Sequence, residues 1–79
     1  MVELIENILN KNRIKNPNLY FFKTLKEELE NEGFIFKGLN EEIECYSFEN
    51  ENGLNLNLYP VLFYPKPDYF HLFNWSLSY

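Results

Sequence analysis

Residues 33–59 read GFIFKGLNEEIECYSFENENGLNLNLY, and the change of period inside them decides the fold. Before Gly33 apolar residues return every three to four positions; after it they return every second position, the repeat of a strand with one buried face. Phe34-Ile35-Phe36-Lys37 reads as a first strand ended by Gly38. Ile43 to Glu49 reads as a second, with Tyr46 and Phe48 on one face and Ile43 and Cys45 on the other. Glu49-Asn50-Glu51-Asn52-Gly53 is a hairpin loop, because Asn-Gly accepts the positive φ that tight turns require. Leu54, Leu56 and Leu58 then alternate with Asn55, Asn57 and Tyr59, and Pro60, which has no N–H for a ladder, predicts a bulge, a bend or an edge.

On the C-terminal side, Pro65-Lys66-Pro67-Asp68 reads as a turn, followed by a last strand that sets His71, Phe73, Trp75, Leu77 and Tyr79 against Leu72, Asn74, Ser76 and Ser78. Toward the N-terminus, Leu4, Ile5, Ile8 and Leu9 fall within an arc of about 140°, an amphipathic helix over residues 2–12. Asn16-Pro17 interrupts it, since proline drives the preceding residue out of the helical region. A second helix is expected from an N-cap at Asn16 or Asn18 to Asn31 or Glu32, with Gly33 as the left-handed residue past its end. Its apolar stripe is Phe21, Phe22, Leu25 and Leu29. The expected architecture is α+β, ααββββ: two N-terminal helices packed on one face of a three- to four-stranded antiparallel sheet, in one small domain spanning residues 1–79.

Seventy-nine residues sit near the lower limit for a self-sufficient core, and one cysteine, Cys45, closes no intrachain loop. Eight Phe, six Tyr and one Trp supply the compensation, each offering about 150–250 Å² of buriable surface. The charged, broken N-terminus MVELIENILNKNRIK is no signal peptide, and the apolar run from Tyr59 to Tyr64 is too short to span a bilayer. A cytoplasmic protein is therefore expected. The many Asn, Lys, Glu and Ile residues fit an AT-rich coding sequence of the bacterial or phage kind.

Charge is segregated along the chain. Nine glutamates stand against Lys37 alone between Glu27 and Glu51, whereas Lys11, Arg13, Lys15, Lys23 and Lys26 outweigh Glu3 and Glu6 in the first 26 residues. Glu27, Glu28, Glu30 and Glu32 crowd the C-terminal half of the second helix, where the macrodipole disfavours anions by about 0.3–1 kcal/mol each. Local stability does not explain them.

Catalytic constellations are missing from the pattern. Cys45 reads as a small buried hydrophobe and His71 as a structural histidine, since neither has the partners a nucleophile or a metal centre needs. Glu41, Glu42, Glu44, Glu49 and Glu51 lack the Asp and Gly spacing of a chelating loop. No catalytic residue, metal or cofactor is expected, and a net charge of −5 opposes direct nucleic-acid binding.

The function expected is that of a small acidic, non-catalytic protein-binding protein. It would be an inhibitor that occupies a basic site on a nucleic-acid-acting, toxin or defence protein, as phage counter-defence proteins, antitoxins and immunity proteins do. The partner-binding residues expected are Glu27, Glu28, Glu30, Glu41, Glu42, Glu44, Glu49 and Glu51. The alternative is a self-associating structural or adaptor module, a homodimer built on Tyr59, Phe63, Tyr64, Tyr69 and Phe70 if these project outward.

Overall fold

Gly33 and the alternation after it divide the molecule as expected, and the computed structural model describes residues 1–61 and 68–79. In chain order the elements are α1 (Val2–Asn12), β1 (Arg13–Lys15), β2 (Leu19–Phe21), α2 (Phe22–Asn31), β3 (Phe34–Asn40), β4 (Cys45–Asn50), β5 (Asn55–Pro60) and β6 (Tyr69–Ser78). The strands form one six-stranded sheet in the order β1-β2-β6-β5-β4-β3, with every neighbouring pair antiparallel. The class is α+β, but a sheet of three or four strands undercounts it. The two additional strands come from residues 13–21.

That hairpin corrects the start of the second helix. Leu19, Tyr20 and Phe21 pair with His71, Phe70 and Tyr69, so α2 begins only at Phe22, whose N–H donates to the carbonyl of Asp68 (2.7 Å). Tyr20 turns into the core and stacks on Phe70 at 5.6 Å, while Phe21 turns to the opposite face of the sheet against Tyr69. Burial of Tyr20 and the ladder to β6 outweigh the weak helical preference of the segment. Asn16-Pro17, a cis peptide, lies in the β1–β2 turn. Gly33 holds φ +91°, the left-handed conformation that ends α2.

Ile5, Ile8 and Leu9 of α1 and Leu25 and Leu29 of α2 meet the inner face of the sheet, where Tyr20, Phe34, Tyr46, Phe48, Leu56, Leu58, Phe70 and Leu72 are buried. Phe22 joins helix to sheet, lying 4.7 Å from the Tyr46 ring and 5.3 Å from that of Phe36. Asn12 closes α1 by donating its side-chain amide to the Ile8 carbonyl (2.9 Å). Cys45 is fully buried.

Two bulges set which side chains reach this core. In β3, Phe36 opposes Phe48 but Gly38 opposes Ser47, leaving Lys37 as an extra residue on an edge strand. In β6, Leu72 opposes Pro60 but Asn74 opposes Tyr59, leaving Phe73 as an extra residue. The irregularity expected at Pro60 is thus realised as an insertion in its partner. It also overturns the expected facing of the last strand: Phe70 and Leu72 point inward before the bulge, Trp75 and Leu77 pack on the core after it, and Phe73 is 80% exposed.

Removing Phe73 restores strict alternation, with Leu72 inward, Asn74 outward and Trp75 inward. The variant lacking Phe73 is expected to fold with the Leu56–Leu77 pairing intact, read by cross-strand NOEs; deletion of Ser76 instead moves Leu77 out of the core and lowers the melting temperature. Burial also raises the phenol pKa of Tyr46 and of Tyr20 above the ordinary value. The unfolded chain then loses these protons first, so stability is full below about pH 10 and falls as pH rises beyond it. Thermal melts across that range, with Tyr46→Phe showing a shallower decline than wild type, check this sign.

Candidate binding surface on the outer sheet face

The helices cover one face of the sheet, and the other face carries the alternate residues of each strand. Its centre is polar. Ser47, Asn57 and Ser76 stand in one row across β4, β5 and β6, with Gly38 continuing the row onto β3. The Ser47 hydroxyl donates to Asn57 Oδ1 (3.3 Å), the Cys45 thiol points at the same oxygen (3.5 Å), and the hydroxyls of Tyr59 and Ser76 lie 3.4 Å apart. Side chains bonded to one another in this way fix the surface geometrically and leave few groups free for chemistry.

Toward the end where β3 turns into β4, the face becomes apolar. The bulge extrudes Phe73, and the 40–45 turn presents Ile43, 60% exposed, beside it. Between them lies a cleft of about 330 Å³ lined by Ile43, Glu44, Tyr59, Pro60, Phe73 and Asn74. Tyr69, 47% exposed, and Phe21 form a ring pair on the same face, 5.0 Å between centroids. The turn itself is held from within, since Asn40 Oδ1 accepts the amide N–H groups of Glu42 (3.0 Å) and Ile43 (3.3 Å). Glu44 adopts φ +54°, a left-handed conformation that disfavours residues with a Cβ.

The glutamates divide between the two ends of the sheet. Phe34 pairs with Asn50 at one end of the β3–β4 ladder and Asn40 with Cys45 at the other, so Glu51 and the Glu41, Glu42, Glu44 group are separated by the length of β3, about 20 Å. Glu49 is half-buried opposite Ile35 and Asn55. On α2, Glu27 is exposed and Glu28 and Glu30 are engaged: Glu28 pairs with Lys11 of α1 (2.8 Å) and Glu30 with Lys26 (3.0 Å). The Lys11 ammonium is held above its ordinary pKa by the hydrogen bond to Glu28 and then by its charge. Glu41, Glu42 and Glu44 accompany Ile43 and Phe73, while Glu49 lies opposite the exposed Ile35 of β3.

Of the aromatic set read as outward-facing, Tyr69 is exposed, Tyr59 is half-buried and lines the cleft, and Phe63 and Tyr64 lie outside the described residues, as do the first three residues of the turn expected at 65–68. Phe70 does not project outward; it is fully buried against Tyr20, Phe22 and Tyr46. Phe73 takes the exposed place instead. Its signal was present as a phase break: Phe70 and Leu72 occupy even positions, Trp75 and Leu77 odd ones, and both pairs can face one core only if a residue is extruded between them.

Both sheet edges are blunted. β1 has three residues, two of them Arg13 and Lys15, and β3 carries the Lys37 bulge, features that disfavour addition of another strand. Among the described residues no three His, Cys, Asp or Glu side chains gather as a metal site, and no helix is long and apolar enough to cross a membrane. No protein-family model, curated protein or solved structure matches the chain.

Glu44→Gly removes the Cβ from a left-handed position and is expected to stabilise the fold by about 1 kcal/mol. A denaturant midpoint equal to or below that of wild type would contradict the strain assigned to Glu44.

Proposed function

We propose that this chain is a small, non-catalytic protein-binding protein that occupies a basic site on another macromolecule, acting as an inhibitor in the manner of antitoxins, immunity proteins and counter-defence proteins. The observation that carries this reading is the placement of exposed Phe73 and Ile43 beside Glu41, Glu42 and Glu44. An apolar centre with a charged rim is the ordinary anatomy of a protein interface: the rings and the isoleucine supply buried area, and the carboxylates select a basic partner and speed encounter. The net charge of −5 adds long-range attraction of the same sign.

Self-association through this patch is less well supported. A two-fold dimer sets the same surface against itself, which would bring six rim carboxylates together, and like charges across an interface are repulsive. The blunted edges β1 and β3 argue against strand-to-strand assembly as well.

Affinity capture from the native host followed by kinetic measurement tests the reading. Changing Glu41, Glu42 and Glu44 together to Gln is expected to slow association roughly tenfold or more at low salt and to flatten its salt dependence. Changing Glu27 and Glu51 to Gln serves as the distant control and is expected to do much less. Salt-insensitive binding, or equal loss in both variants, would sink the proposal.

A further inference from the structure

We propose that the cleft beside Phe73 is an arginine pocket, receiving one guanidinium side chain of the basic partner. The inference rests on the protein-binding reading above and assigns its central contact. Among the described residues Glu44 is the one charged residue lining the cleft and forms no ion pair, whereas Glu28 and Glu30 are both satisfied by lysines. Phe73 and Tyr59 bring aromatic rings, Ile43 and Pro60 bring aliphatic surface, and Asn74 brings a side-chain amide. That set matches an arginine part by part. Its methylene stem lies on aliphatic groups, its planar cation stacks on an aromatic ring, and its N–H fork meets a carboxylate and an amide oxygen.

Other occupants fit less well. Lysine is a compact, strongly hydrated cation without a plane to stack, and gains less from an exposed phenylalanine than arginine does. A phosphate or nucleic acid meets Glu41, Glu42 and Glu44 as like charge. A second copy of this chain would have to bring Arg13, its one arginine, from the β1 edge, and would set its own acidic turn against this one.

The test is an amide NMR titration of the whole chain with a capped hexa-arginine peptide and, separately, a capped hexalysine peptide of equal charge. The arginine peptide is expected to shift Ile43, Glu44, Tyr59, Phe73 and Asn74, and to bind roughly two- to fivefold more tightly than the lysine peptide. Phe73→Ser, at an exposed position outside the core, is expected to abolish that preference while leaving the shared charge-driven binding. Glu44→Gln is expected to weaken the arginine peptide more than the lysine peptide. Equal affinities for the two peptides, or shifts centred on Glu27 and Glu51, overturn the proposal. Capture of a host partner equally well by wild type and Phe73→Ser overturns the pocket, and the Glu41, Glu42 and Glu44 variant then decides the protein-binding reading by itself. A wild type that prefers the arginine peptide at these residues upholds the pocket whether or not a host partner is recovered.

Discussion

The ladder between Leu19–Phe21 and Tyr69–His71 is the constraint on which the rest of the structure depends. It joins the N-terminal hairpin to the last strand, inserts Tyr20 beside Phe70, and fixes Phe22 as the first residue of α2. From that starting point Leu25 and Leu29 fall on the sheet, and Phe22 reaches Phe36 and Tyr46. β6 supplies further anchors nearby: the Leu72 N–H donates to the Asn18 carbonyl (2.9 Å), and the His71 ring nitrogen lies 3.2 Å from the carbonyl of Pro17. Loosening this one pairing would free the hairpin and the first turn of α2 together.

Local signals were legible where local chemistry decides. Gly33 ends α2 because only a residue without a Cβ takes φ +91° cheaply, and Leu54, Leu56 and Leu58 are buried because nothing disturbs their alternation. The 50–54 loop follows from Asn50, whose side chain accepts N–H groups from Asn52 and Leu54, with Gly53 at positive φ. Leu19–Phe21 was not legible as a strand, since its partner lies far along the chain and the segment alone has the spacing of a helix start. Phe73 was misplaced for a related reason: residues 71–79 alternate convincingly by themselves, and only Phe70 and Leu72, read together with Trp75 and Leu77, reveal the extruded residue.

The same division explains the surface. Composition shows that glutamates cluster in sequence, but strand length and pairing separate Glu41, Glu42 and Glu44 from Glu51, and helix packing turns Glu28 toward Lys11. What distinguishes the first group is its apolar company, which arises from an insertion in a strand at the other side of β5. An acidic stretch became a directional surface through a neighbour remote in sequence.

The β2–β6 ladder also has a consequence for synthesis. Tyr20 leaves the ribosome well before its partner Phe70, by roughly 3–10 s at ordinary rates of translation. Throughout that interval the three-residue β1 is the one final neighbour of β2 already made. Completion of the last strand supplies the second, and Leu19–Phe21 takes its place between β1 and β6 only then.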